Sequence, residues 1–195
     1  MKGLKLLPPT GFYPNDKEVY PLYAKAEELG VPVLVHTGPE TIPLYSKYSQ
    51  PIYLDEVCNY FPDLKIIAAH AGYCWMEELI VLASNKTNLY IDLAAWQTKI
   101  RRQKKEETPE EIERRQRQNT EFYKTLRHIL NTIGARRVLF GSDWPPMRLY
   151  MSQKVWVNVF REVPDYVREA GIEFREGEMD LILGGSAAKV LGLES

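Results

Sequence analysis

The chain has 195 residues, of which 45% are hydrophobic and 26% are charged, a composition typical of one soluble domain or a large piece of one. The formal net charge is −1, which gives the protein no overall attraction for nucleic acid, and no apolar run reaches the ~18 residues of a membrane span. We therefore expect neither a nucleic-acid nor a membrane partner. Cys58 and Cys74 lack a Cys-x-x-Cys spacing, so we expect free thiols and a cytoplasmic protein.

Short apolar segments alternate with helical patterns along the chain. The segments predicted as strands are almost continuously apolar, as in sheets that are buried on both faces, and the predicted helices carry one apolar stripe. In chain order, the pattern predicts a strand at 3–7, a helix at 16–30, a strand at 31–36, a helix at 52–62, a strand at 64–70, a helix at 75–85, a strand at 89–95, a helix at 120–134, a strand at 137–143, a helix at about 152–170 and a short helix at 186–193.

This alternation predicts a parallel sheet wrapped by helices, which fits either an open doubly wound sheet or a (β/α)8 barrel. The first architecture usually has a glycine-rich turn after its first strand, whereas this chain has Pro8 and Pro9 there. Polar residues at the ends of several strands favour the barrel. One segment, residues 99–118, departs from the alternation and is charged almost throughout. We expect it to be a solvated helical excursion, with a lid or a subunit contact as alternatives.

Two of the three histidines occupy equivalent positions. His36 follows the apolar run "PVLV", and His70 follows "KIIAA"; Asp143 follows the later run "RVLFGS". Because the carboxyl ends of parallel strands converge on one face, we expect these three side chains to share an ion or a water cluster there. Imidazole and carboxylate are the usual ligands of a catalytic Zn²⁺. A histidine at the end of a strand is also often hydrogen-bonded only to backbone. For each histidine considered alone, both metal binding and this structural role are therefore possible.

The motifs around these residues resemble the amidohydrolase-related enzymes of the aminocarboxymuconate-semialdehyde decarboxylase type. The resemblance extends over residues 3–193 and rests on "GLKLLPPTGFYPND", "VPVLVHTG", "LKIIAAHAGYCWMEE", "VLFGSDWP" and "ILGGSAAKVLGL". It implies a (β/α)8 barrel with a divalent metal, zinc above all, on its C-terminal face. It also implies that His36 and Asp143 are metal ligands, and that His70 and Asp143 are catalytic, with His70 polarising the substrate or activating water.

The chain also departs from this family pattern. The family opens with a His-x-His pair that supplies two metal ligands, and this chain has no such pair. By resemblance its strands are the fourth to eighth of the barrel, so we expect an α/β partial (β/α)8 barrel over residues 1–195. Asp92 and a carbamylated Lys5 are further candidate ligands. With the family's first three units absent, we expect the isolated chain to bind metal weakly or not at all.

The expected activity is that of a metal-dependent hydrolase or decarboxylase that acts on a small carboxylate, lactone or amide-type substrate. Arg148 in the loop after the last strand is a candidate for holding a carboxylate, and Trp144 and Trp96 are candidates for flanking a planar substrate. The alternative is a non-catalytic remnant, or one subunit of a split barrel that needs a partner. A partial barrel exposes edge strands and the inner faces of Val33, Val35, Ile66, Ala68 and Leu139, so we expect a homo-oligomer or a complementary barrel fragment as partner.

Overall fold

The computed structural model describes residues 2–193. Its central feature is a sheet of five parallel strands in the order β1-β2-β3-β4-β5, which confirms the predicted α/β class. The strands are β1 Leu4–Leu6, β2 Val33–His36, β3 Ile66–Ala69, β4 Leu89–Asp92 and β5 Val138–Leu139. The last strand ends earlier than predicted because the N–H of Phe140 donates to the carbonyl of Ile182 and not to a neighbouring strand.

Helices connect the consecutive parallel strands and follow the last one. They are α1 Tyr20–Glu28, α2 Leu54–Tyr60, α3 Met76–Asn85, α4 Pro109–Ile133, α5 Gln153–Arg161, α6 Asp165–Glu169, α7 Glu178–Asp180 and α8 Ser186–Val190. The predicted helix at 152–170 is therefore two helices, and Pro164 lies at the start of the second. None of the helices within residues 2–193 has the length and apolar character that a membrane crossing requires.

The charged segment at 99–118 is only partly the helical excursion that we expected. Residues 101–108 form neither helix nor strand, and residues 109–118 are the first half of α4. The helix begins early because Thr108 and Glu111 form a capping box, in which each side chain accepts a hydrogen bond from the backbone N–H of the other. Pro109 then occupies the first helical position, where its missing N–H costs nothing.

The two faces of the sheet have different coverings, and the expectation about the inner face was wrong in part. Val33, Val35, Ile66 and Ala68 have no exposed surface and belong to the large core that the sheet forms with the helices. The alternate residues face the barrel interior, among them Leu34, Ile67 and Leu139. Strand period 2 explains the error, because a shift of one residue exchanges the two faces. Only Leu139 was assigned to the correct side.

The terminal helix α8 covers part of this inner face. Val190 packs against Ile67 and Leu139 in a second, smaller apolar cluster. The ammonium of Lys65, at the start of β3, donates to the carbonyl of Val190 at 3.3 Å, so α8 lies at the N-terminal end of the strands. The hydroxyl of Ser186, the first residue of α8, donates to the carbonyl of Ala135. The opposite, C-terminal end of the inner face stays open, with β1 and β5 at the two edges of the sheet.

Candidate active site at the C-terminal edge of the sheet

His36 and His70 meet at the C-terminal edge of the sheet, as predicted. His36 is the last residue of β2 and is in register with Ala69, the last residue of β3, so the next residue, His70, lies beside it. Nε2 of His70 is 3.1 Å from Nδ1 of His36, and the two ring centroids are 4.6 Å apart. Both histidines are buried, with 6% and 9% of their surface exposed. The similar apolar runs therefore place two imidazoles in direct contact.

The outer nitrogens of the pair face only hydrogen-bond acceptors. Nε2 of His36 is 3.3 Å from the carbonyl oxygen of Gly38 and 3.4 Å from a carboxylate oxygen of Glu40. Nδ1 of His70 is 3.2 Å from the carbonyl oxygen of Ala94. Both outer nitrogens must carry a proton to make these bonds, and a neutral imidazole has only one N–H. Two neutral rings therefore leave two lone pairs facing each other across the 3.1 Å contact.

This electrostatic arrangement suits a shared cation. Burial, the neighbouring His70 and the ammonium of Lys5 together lower the pKa of His36 to about 3. His36 is therefore neutral at pH 7 and offers its Nδ1 lone pair. Neutral imidazole is the form that binds metal ions. The pair can thus hold a proton between its rings or contribute two nitrogen ligands to an ion.

Asp92 and Trp96 fix the backbone of His70. The Oδ1 atom of Asp92, at the end of β4, accepts hydrogen bonds from the backbone N–H groups of His70 at 3.1 Å and Ala94 at 2.8 Å. The indole N–H of Trp96 donates to the carbonyl of His70 at 3.0 Å. These bonds hold His70 at φ 65, a conformation that few residues other than glycine adopt. The same left-handed region holds Ala71 and Tyr73, and such strain is concentrated at functional sites.

Asp143 lies in the loop after β5 on the same edge of the sheet. It is half-buried, has φ 46, and its negative charge acts on Lys5, as do the charges of Asp92 and Glu40. Lys5 is an exposed residue on the inner face of β1. Partial desolvation of its ammonium lowers the pKa, and the three carboxylates oppose this shift. Asp143 makes no direct bond to either histidine among residues 2–193.

A close approach between two loops positions Asp143. Gly141 lies against Ala94, so that a Cβ on Gly141 would be 2.7 Å from the Cβ of Ala94. Gln97 then bridges the same two loops, because its side-chain amide donates to the carbonyl of Ser142 at 2.7 Å. The β5 loop, with Asp143, is therefore held against the β4 loop that bonds the ring of His70.

The predicted substrate-binding residues have different positions. Trp144 and Arg148 lie on the loop after β5 and are exposed, Trp144 with 53% of its surface. Trp96 has no exposed surface, so the prediction that it flanks a substrate was wrong. Its apolar ring packs in the core against Phe122, and its single polar atom is used by the carbonyl of His70. Trp96 is a supporting residue of the site.

Sequence reasoning missed Glu40 and Thr37. Glu40 follows His36 by four residues in a loop, and its carboxylate reaches the outer nitrogen of that histidine. The hydroxyl of Thr37 donates to the carbonyl of Ala69 and accepts from the N–H of Gly72, so it joins the two histidine loops. An acidic residue and a hydroxyl so close to a candidate ligand are signals that the sequence does contain.

A family model described as amidohydrolase matches residues 1–193. The chain belongs to the amidohydrolase family. The resemblance noted in the sequence is thereby confirmed. Comparison with curated protein sequences gives no significant match.

Solved structures support the barrel architecture of this chain. An uncharacterised TIM-barrel protein of Bordetella bronchiseptica is 24% identical with a TM-score of 0.66, and the alignment covers 98% of this chain and 57% of that one. An amidohydrolase of Burkholderia multivorans with bound zinc is 16% identical with a TM-score of 0.59, over 91% of this chain and 58% of that one. A dihydroxybenzoic acid decarboxylase of a Polaromonas species, with bound manganese and the inhibitor 2-nitroresorcinol, is 16% identical with a TM-score of 0.57, over 93% and 56%. The chain therefore spans a little over half the length of these barrels.

The donors of this chain make up only part of a metal site. Within the described residues 2–193, no group of three or more His, Cys, Asp or Glu side chains is positioned to hold a metal ion. A catalytic zinc normally has three protein ligands. His36 and His70 fit the donor chemistry of such an ion, but the set is incomplete without further ligands.

Proposed function

We propose that this chain carries the C-terminal part of the active site of a metal-dependent hydrolase or decarboxylase. In this proposal His36 and Asp143 contribute to a divalent ion, with zinc the first choice. His70 is the catalytic histidine that polarises the substrate or water, and Asp143 also serves as the base. The single observation that carries the proposal is the contact between Nδ1 of His36 and Nε2 of His70, whose lone pairs face each other while both outer nitrogens are occupied by acceptors.

The substrate that suits this site is a small organic acid or its ester or amide. The loops after β2 and β5 border the open end of the inner face, and we assign Arg148 and Trp144 of the second loop to substrate contacts. Since Trp144 is more than half exposed, it is available to stack on a planar molecule. The manganese-containing dihydroxybenzoic acid decarboxylase with a similar fold supports both a divalent ion and an aromatic acid.

In this proposal, another polypeptide supplies the metal ligands that residues 2–193 lack. We propose that they are supplied by a complementary barrel fragment or a second copy, which would also pair with the edge strands β1 and β5. The two free cysteines, Cys58 and Cys74, are consistent with the proposed cytoplasmic location.

One observation favours a second function, a barrel-like subunit without its own catalysis. It is the same absence of a three-donor group within residues 2–193. In this alternative the histidine pair shares a proton and acts as a structural element of the edge of the sheet. Metal binding separates the two proposals.

Calorimetric titration of the purified chain with Zn²⁺ and Mn²⁺ tests the proposal, with metal analysis after desalting. We expect weak binding that desalting removes, because His36 and Asp143 supply only two of the ligands that such an ion needs. His36→Asn and Asp143→Asn should each abolish the binding heat. His128→Asn is the matched control, since His128 lies on the exposed side of α4 and should leave the titration unchanged.

Two results would count against this scheme. Tight, stoichiometric zinc that survives desalting would mean that the chain holds a complete site. Weak binding that persists in both His36→Asn and Asp143→Asn would remove these two residues from metal binding and favour the second function.

A further inference from the structure

Lys99 has an unusual environment in the turn that follows β4. Its ammonium lies 5.1 Å from the centre of the Trp96 ring and 5.2 Å from the centre of the Tyr73 ring. The residue is half-buried, and burial lowers the pKa of its ammonium. Two aromatic faces attract the cation but provide no negative charge that neutralises it.

No carboxylate compensates this charge. In the part of the chain that the structure describes, Lys99 forms no ion pair, whereas Lys17, Lys86 and Lys104 each contact an acidic side chain. Partial burial of an unpaired ammonium is unfavourable, and a ligand that brings an anion would remove that cost. Lys99 is therefore better suited to bind an anionic ligand than a neutral one.

The rings around Lys99 connect it to both histidine loops. Trp96 donates its indole N–H to the carbonyl of His70. Tyr73 lies three residues after His70, and its Cβ is so close to Gly38 that a Cβ there would be 3.2 Å away. Gly38 in turn accepts a bond from the ring of His36. The ammonium thus lies on a layer of two rings that contacts the loops of both catalytic candidates.

We propose that Lys99 is the specificity-determining residue for an anionic substrate, and that it binds the carboxylate of a small planar acid whose ring packs on Tyr73. This inference rests on the proposed function for the location of the substrate. Tyr73 is 40% exposed, so part of its face is free for such a ring. Arg148 is more exposed than Lys99, so it is suited to a second contact at the rim.

Binding of two matched ligands tests this proposal without reliance on metal or turnover. The ligands are 2,6-dihydroxybenzoate and resorcinol, which share the hydroxylated ring and differ by the carboxylate. Affinities are measured by NMR titration of the metal-free protein in chelator, and the readout is the ratio of the two affinities. We expect the wild type to prefer the acid by about tenfold, as for one charge-assisted hydrogen bond at a partly exposed site.

Three variants distinguish the charge of Lys99 from its packing. Lys99→Met keeps the aliphatic stem on the rings and removes the charge, and it should lose the preference for the acid. Lys99→Arg should retain it. Lys105→Met is the matched control from the same segment, where the side chain is exposed, and it should behave as wild type.

The outcomes separate this inference from the proposed function. A wild type that binds both ligands equally, or a Lys99→Met variant that keeps the preference, overturns the role of Lys99. Loss of metal binding in His36→Asn with an unchanged preference for the acid supports Lys99 independently. If the metal titration fails while the preference is present and depends on Lys99, only the catalytic proposal is refuted.

Discussion

Alanine at position 141 would test the close approach that holds the two loops of the site together. The new Cβ would lie 2.7 Å from the Cβ and 3.0 Å from the backbone nitrogen of Ala94, whereas carbon atoms in contact are about 3.5–4.0 Å apart. One loop must therefore shift by several tenths of an ångström or more. Overpacking of this kind costs about 1–3 kcal/mol. For a protein of this size, the melting temperature should fall by roughly 2–12 °C.

The same shift should disturb the histidine pair. Ala94 accepts the hydrogen bond of the His70 ring and donates its N–H to Asp92, so a displaced Ala94 loosens both. Thermal unfolding by circular dichroism gives the stability change, and the His70 ring signals in NMR report the displacement. Gly184→Ala is the control, because a Cβ there meets no atom within 4 Å and its φ of 179 suits any residue. Equal melting temperatures for Gly141→Ala, Gly184→Ala and the wild type would refute the reasoning.

Alanine in place of Glu178 would leave the guanidinium of Arg127 buried without its bidentate partner, and the free energy of unfolding in urea should fall by about 3 kcal/mol. The bonds from Arg127 hold the pKa of Glu178 below its usual 4.5. The stability that the ion pair provides is therefore complete above pH 4.5 and is lost as the pH falls through the lower pKa of the folded state. A Glu178→Gln variant whose stability depends on acidic pH in the same way as that of the wild type would contradict this. Ala95, at φ 64, should tolerate glycine with a gain of about 1 kcal/mol, measured by the same urea titration, and a loss would be inconsistent with the backbone conformation. Light scattering should find the purified chain as a dimer, a larger oligomer or an aggregate, and a monodisperse 22.6 kDa monomer with a cooperative melt would count against this expectation.

The strand order could be predicted because each strand carries a short apolar run and each connection contains a helix. These signals are local, and they are sufficient to predict that His36 and His70 lie at the same edge of the sheet. Their contact followed from register, since His36 pairs with Ala69 and the next residue must lie beside it. Predictions from local patterns hold here because the hydrophobic period and the length of the connections indicate the same structure.

The side of the sheet that each residue faces was harder to predict. Val33 and Leu34 are both apolar, and a strand that is apolar on both faces has no alternation from which to choose the inner one. The role of Trp96 failed for a similar reason, because an aromatic residue next to a site is equally suited to contact a substrate or to support a loop. The decisive contact, from its indole to His70, joins the segments that follow two different strands.

The start of α4 illustrates a third limit. The segment from 99 to 118 is uniformly charged, so hydrophobic periodicity could not locate the helix boundary within it. The capping box at Thr108 and Glu111 was the available signal, and it lies inside the stretch that its charge led us to treat as one unit.

The contact between α8 and the sheet has a consequence for the order in which the protein is made. Lys65 and Val190 are 125 residues apart in the sequence, yet they are bonded in the fold. During synthesis β2 and β3 leave the ribosome long before α8 is made. Until then Ile67 lacks its contact with Val190 and is exposed to water or bound by a chaperone. The third strand lies in the middle of the sheet. A shortened C-terminus would therefore damage the centre of the protein first and its edges later.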